Sequence, residues 1–178
     1  MKIYTKTGDA GKTRLGDMSV VDKDNQRVDL YGDIDELNAQ VGVVLSFADL
    51  KDVNTVLLAI QNKLLALGSS IANPKPVTDK KAQILVDDIL FLEKSIDDME
   101  IQLQPLKNFI LPGGHKIASL LHLSRTICRR VERKAVAFNK VEVLDPLYIQ
   151  YLNRLSDYFF VAARYVNHQK NSPDVLWE

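Results

Sequence analysis

Residues 6–16 read KTGDAGKTRLG, and how they hold a ligand decides the fold of the whole chain. Gly11-Lys12-Thr13 has the closing residues of a P-loop. That motif needs its first glycine five residues earlier, because the loop length lets successive backbone N–H groups wrap the phosphates. Position 6 is Lys6, and Gly8 stands two residues too close. No buried strand precedes the stretch to present it, so it does not open a parallel α/β sheet. The residue chemistry still suits an anion. Gly8 and Gly11 permit positive φ and close backbone approach. Thr5, Thr7 and Thr13 offer hydroxyls, Lys6 and Lys12 offer cations, and Asp9 could face a divalent metal. A solvated polar tail explains the same composition, and both readings stand at this point.

Beyond about residue 27 the pattern is helical. Segment one, residues 28–47, repeats Tyr31, Ile34, Asn38, Val41 and Leu45 at three- and four-residue spacing. Segment two carries Val53, Leu57, Ile60, Leu64, Leu67 and Ile71 and stops at Asn73-Pro74. Segment three opens on Thr78-Asp79 as an N-cap and carries Leu85, Ile89, Leu92, Ile96, Met99 and Leu103. Residues 104–114, QPLKNFILPGG, break the pattern with prolines and paired glycines. Segment four, residues 115–139, has the stripe Ile117, Leu121, Ser124, Cys128, Val131, Ala135 and Phe138. Asp145-Pro146 predicts an N-cap followed by proline at the first helical position. Segment five carries Leu152, Leu155, Phe159, Ala162 and Val166, fraying near Asn171. No alternating strands, repeats or low-complexity tracts stand out. The expectation is one all-α domain over residues 1–178: an irregular arm, 1–27, and a five-helix bundle, 28–171.

The totals narrow the function classes. Lys+Arg and Asp+Glu are both 23, so no global field draws the chain to nucleic acid or membrane. The single cysteine, Cys128, excludes an internal disulfide and a thiolate metal cluster, and a reduced, cytoplasmic setting is expected. No apolar run is expected to span a bilayer, and MKIYTKTGD has no signal-peptide core.

Charge is concentrated on segment four. Arg125, Arg129, Glu132 and Arg133 share one helical face beside the apolar stripe, with Arg130 next to them. Like charges at i,i+4 repel, so an anion or neighbouring carboxylates must relieve them. Phosphate, and salt bridges to Asp35, Glu36 or Asp157, are both open. Segment five places Asn153, Asp157, Phe160 and Arg164 on a second stripe. No Glu has a His three residues on, as a di-iron bundle requires. His115, His122 and His168 read as rim or capping residues, and Cys128 as core. Phe109, Ile110 and Leu111 are core or line a pocket.

Five separated motifs then agree: YTKTGDAGKT, VDKDNQRVDLYGDIDELNAQVG, FILPGG, RTICRRVER and YLNRLSDYFFVAARY. In that order they resemble the PduO-type ATP:cob(I)alamin adenosyltransferases. The resemblance implies a homotrimer of cobalamin adenosyltransferase-like five-helix bundles with sites between subunits. It implies transfer of the 5′-deoxyadenosyl group of ATP, with Mg²⁺, to the Co(I) of reduced cobalamin. Thr5, Lys6, Thr7, Gly8, Asp9, Gly11, Thr13 and Lys23 would hold ATP, with Arg129, Arg133 and Asn153 completing the site and Glu132 facing the metal. Asp35 and Arg125 are similar to the family's inter-subunit ion pair beside the corrinoid. Phe109 would press on the lower corrin face and exclude the axial base, which makes cobalt(II) easier to reduce. Phe160 would join Asp35, Phe109 and Arg125 at the corrinoid, and Asp35, Phe109, Arg125 and Arg129 would form the catalytic group. A reductase and an adenosylcobalamin-dependent enzyme are the implied partners. A non-catalytic module that binds or delivers ATP or adenosylcobalamin is the alternative on the same fold. Residues 16–23, GDMSVVDK, depart from the family's glycine- and arginine-bearing segment, with Lys12 and Arg14 as substitutes for the missing contact.

Overall fold

In the computed structural model, residues 4, 6–75 and 78–178 are described. Five helices form the body: α1 (Gln26–Phe47), α2 (Lys51–Ala72), α3 (Val86–Glu100), α4 (Lys116–Phe138) and α5 (Pro146–Gln169). In packing order, α2 lies on α1, α1 on α4, α4 on α5 and α5 on α3. Lys63 of α2 and Asp88 of α3, 2.9 Å apart, tie the two ends of that series together.

The predicted stripes of α2, α4 and α5 are all buried. On α1 the buried line is Leu30, Ile34, Leu37, Val41 and Val44. It is rotated from the expected one, so Tyr31, Asn38 and Leu45 flank the core rather than fill it. α5 is buried on more than one face because both α3 and α4 pack against it. Its first turn is as expected: Asp145 accepts from the Leu147 N–H at 2.9 Å, with Pro146 following.

Three expectations need correction. Asp79 caps only a single 3₁₀ turn, Lys80–Ala82. α3 starts later, at Val86, where Asp88 turns back to accept from the Leu85 N–H at 2.8 Å. Secondly, strands do occur: β1 (Lys12–Arg14) and β2 (Val20–Asp22) pair antiparallel, Thr13 opposite Val21. Strands of three residues are too short to register as alternation. Thirdly, α2 is long and apolar enough, by length and composition alone, to cross a bilayer. Its apolarity has a use inside the fold: Val53, Leu57, Ile60, Leu64, Leu67 and Ile71 are all in the core.

The arm is docked rather than trailing. Leu15 is buried, and the Gly16 N–H donates to Ala72 O at 2.9 Å. Just beyond, Arg27 is buried, donates to Ile71 O, pairs with Glu142 and lies 5.1 Å from the Phe138 ring centroid. This one side chain joins the start of α1 to the ends of α2 and α4.

Candidate functional site

The arginines of α4 divide into two groups. Arg130 faces α1, where it pairs with Glu36 and lies 3.4 Å from Asp33. Lys134, one turn on, reaches Asp29 at 2.8 Å and Asp33 at 3.0 Å. These contacts raise the pKa values of both bases, the hydrogen bond to Glu36 first for Arg130 and that to Asp29 first for Lys134. They are helix-to-helix neutralisation. Arg125, Arg129 and Arg133 make no ion pair within the chain among the described residues.

Arg125 and Arg129 instead line an open groove of about 620 Å³ between α3, α4 and α5. Phe160 and Arg154 share its wall, and Glu93, Asp97, Glu100 and Asp157 make its opposite side acidic. Arg154 spans that acidic side, 2.9 Å from Glu93 and 2.8 Å from Asp157. Arg125 is half-buried, 6.0 Å from the Phe160 ring centroid, with its Nε enclosed and without a hydrogen-bond acceptor. Burial, then the charge of Arg129, lowers its pKa. A buried N–H lacking a partner is costly, so an acceptor brought to this guanidinium would stabilise it. Asp35, expected to be its partner, is exposed, and no ion pair among the described residues joins it to Arg125.

Next on this flank is His122, which was expected at the rim and is instead buried, 3% exposed. Both ring nitrogens lack hydrogen-bond partners among the described residues, and the ring meets Phe160 edge-on at 6.0 Å. Burial first, then Arg125, lowers its pKa, while Asp174 opposes the shift. The neutral imidazole thus supports Phe160 from behind. Its position on the core side of α4 follows from the i,i+4 relation to Ala118, a signal masked by its polarity. His115 does cap α4, accepting from the Ile117 N–H at 3.3 Å, and His168 is exposed. Cys128 is buried, its thiol directed at Leu152 O, and burial raises its pKa far above the range of a nucleophile.

On the neighbouring face, Asn153 Nδ2 donates to Glu132 Oε1 at 3.0 Å, so these two predicted residues do meet. Arg133 is exposed beside them.

The arm supplies a separate cluster. Gly11 has φ +76°, and its carbonyl accepts from the Lys23 N–H at 2.8 Å. Lys23 Nζ lies so near Gly8 that a Cβ there would come within 3.3 Å of it. Lys6, Thr7 and Asp9 are exposed and Thr13 is half-buried. Thr5 lies outside the described residues. Lys12 is engaged with Asp22 across the hairpin at 2.9 Å, which occupies one of the two substitutes considered for the atypical 16–23 segment. No hydrogen bond or ion pair among the described residues joins Lys6, Asp9 or Lys23 to Arg129, Glu132, Arg133 or Asn153. Among the described residues, these side chains therefore do not tie the two halves of the expected nucleotide site together.

Phe109 sits at a third place, 77% exposed, on the loop between α3 and α4. The loop pairs with the segment after α5: Leu111 N–H donates to Val175 O and Trp177 N–H to Phe109 O, both at 2.8 Å. The Phe109 and Trp177 rings meet edge-on at 6.3 Å. An exposed aromatic pair on a short ladder suits a broad, flat, partly apolar ligand.

The site thus combines a helical bundle with a groove where Arg125 and Arg129 form no ion pair among the described residues, a Gly/Lys/Thr arm and an exposed aromatic pair. The chain's sequence matches the family described as cobalamin adenosyltransferase over residues 3–166. It is 46% identical to a corrinoid adenosyltransferase of Bacillus subtilis, covering 100% of this chain and 93% of that one. It is 43% identical to a cobalamin adenosyltransferase of Cupriavidus metallidurans, covering 99% and 94%. Its fold matches a variant PduO-type ATP:corrinoid adenosyltransferase from Lactobacillus reuteri, complexed with cobalamin and ATP, with a TM-score of 0.91, 38% identity and 99% of both chains covered. The chain belongs to the cobalamin adenosyltransferase family.

Proposed function

We propose that this protein transfers the 5′-deoxyadenosyl group of ATP to the Co(I) centre of cobalamin or a related corrinoid, releasing triphosphate. Cobalt(I) supplies the electron pair of the new Co–C5′ bond. The C5′–O bond breaks, its electrons leave on the triphosphate, and cobalt ends formally as Co(III). An external one-electron reductant converts Co(II) to Co(I) beforehand. No side-chain nucleophile is needed, in keeping with a buried, unreactive Cys128.

The observation that carries this reading is the division of the α4 arginines. Arg130 is neutralised by α1, whereas Arg125 and Arg129 face an open groove and, among the described residues, form no ion pair with the acids on its opposite side. In this reading Arg129 and Arg133 stabilise charge building on the leaving triphosphate, a role worth about 3 kcal/mol per preorganised donor. Lys6, Thr7, Gly8, Asp9, Gly11, Thr13 and Lys23 hold the nucleotide from the arm, as would Thr5. Glu132, held by Asn153, would bind a magnesium ion carried on the phosphates, where the metal would offset their charge. Such an ion needs only one or two protein carboxylates, which fits a chain whose described residues contain no group of three metal-ligating side chains.

The separation of arm and arginine groove supports a site completed by a second copy, hence a homotrimer. Asp35 of one subunit then pairs with Arg125 of the next, giving its enclosed Nε the missing acceptor. Phe109 and Phe160 meet the corrinoid, Phe109 from its lower face. The setting is the cytoplasm, with a cob(II)alamin reductase upstream and an adenosylcobalamin-dependent enzyme downstream. Phe109→Ala tests the assignment: turnover should collapse while the ATP-dependent rise in melting temperature remains. Unchanged turnover would remove Phe109 from the corrinoid site.

A further inference from the structure

Phe109 has almost no core packing to hold it, yet its assigned task needs placement to a fraction of an ångström. Its backbone is fixed by a buried polar network on the last turns of α5. Arg164, 8% exposed, donates through a terminal nitrogen to Gln104 O at 2.8 Å. Asn167, 2% exposed, donates to Gly113 O at 3.0 Å and accepts from the His115 N–H at 2.9 Å. Two side chains of one helix thereby clamp the loop near both its ends. Gly114, at φ +97°, lies so close that a Cβ would collide with the Asn167 carboxamide.

The segment after α5 enters the same network through one residue. Asn171 turns the chain at φ 52°, and the Ser172 N–H returns to Asn167 O at 2.9 Å. Asp174 Oδ2 then accepts from Arg164 Nε and Oδ1 from Asn167 Nδ2, each at 3.0 Å. Immediately beyond, residues 175–177 form the ladder with Phe109 and Leu111 and bring Trp177 against the Phe109 ring.

We infer that Asp174 is a positioning residue, a latch whose two hydrogen bonds to Arg164 and Asn167 hold the C-terminal strap and thereby set Phe109 against the corrinoid. Buried polar networks of this kind are rigid when complete and costly when one member is removed. Without Asp174 the strap loses its anchor to α5, the ladder loses its partner strand, and Phe109 keeps only the clamps at the distant ends of its loop. The lower-face base is then no longer excluded. The inference rests on the adenosyltransferase reading.

The test compares wild type with Asp174→Ala, using cob(II)alamin, ATP, Mg²⁺ and free reduced flavin as the one-electron source. The variant should lose at least tenfold in kcat with its KM for ATP within twofold of wild type. The electron paramagnetic resonance spectrum of bound cob(II)alamin should change from four-coordinate to five-coordinate. Because Asp174→Ala leaves Arg164 buried without its acid, two further variants are measured: Arg164→Met/Asp174→Leu, which leaves no unpaired charge and should show the same spectral change, and Arg164→Met alone, which removes the Gln104 clamp but keeps the Asp174–Asn167 bond and should show a smaller one. A four-coordinate spectrum and wild-type kcat in either folded Asp174 variant, or as large a spectral change in Arg164→Met alone, would overturn the latch. A wild-type protein that binds ATP but makes no product overturns the adenosyltransferase reading itself, and with it the latch.

Discussion

Arg129 and Arg130 are adjacent on α4, and their surroundings give them opposite consequences when removed. Arg130 is partly exposed and paired with α1, so Arg130→Ala should cost about 1 kcal/mol or less and leave chemistry nearly intact. Arg129, with no ion pair among the described residues, should behave in reverse: Arg129→Ala lowers kcat about 100-fold while the melting temperature holds. Steady-state kinetics beside thermal melts separates the two, and equal losses of activity would contradict the division. His122 makes a second prediction. Its folded pKa is depressed by burial and by Arg125, whereas the unfolded imidazole titrates near ~6.5. Below that pH the unfolded chain binds a proton that the folded chain refuses. Stability contributed by His122 is therefore complete above about pH 6.5 and falls progressively below it, until the folded pKa is reached. His122→Leu should flatten the fall of urea midpoints just below about pH 6.5; an unchanged slope would assign the loss to other groups. The sequence showed the arginine cluster plainly, since charge spacing is local. It did not show which arginines α1 would neutralise or that His122 would be buried, because both depend on how the helices rotate against each other.

At the scale of elements, periodicity identified all five helices and the break that carries Phe109, because an apolar stripe is dictated by the core it must fill. The failures occurred where local chemistry has two outlets. Asp79 is as good a cap for one 3₁₀ turn as for a helix, and only the burial of Ile84 beyond it places the start of α3 later. The β1–β2 hairpin is too brief to produce alternation, though Asp17 marks its turn by accepting from the Ser19 N–H at 3.0 Å. Gly114 is the element-level test. Gly114→Ala combines left-handed strain with collision against Asn167, so it should cost about 2 kcal/mol or more, read from denaturant midpoints. Asp145→Ala, which removes only the α5 cap, should cost about 1 kcal/mol. A Gly114→Ala cost no larger than this would mean that the loop relaxes freely around Asn167.

At the scale of the molecule, no hydrogen bond or ion pair among the described residues joins Lys6, Asp9 or Lys23 to Arg129, Glu132, Arg133 or Asn153, and among them Arg125 Nε has no acceptor. The proposed trimer would answer both. Asp35→Arg and Arg125→Asp should each lower activity sharply, and the combined exchange should recover part of it if the two residues meet across subunits. Sedimentation of the wild-type protein should give one species of three chains, and a stable monomer with full activity would exclude the shared site. The resemblance of five motifs was the only feature of the sequence that pointed to such a site, since a contact between copies leaves no periodicity in one of them. The central claim is the reaction itself. Purified protein supplied with ATP, Mg²⁺ and chemically reduced cob(I)alamin should convert the Co(I) absorbance to that of adenosylcobalamin, with one triphosphate released per Co–C bond formed. Normal ATP binding with neither product would contradict the account.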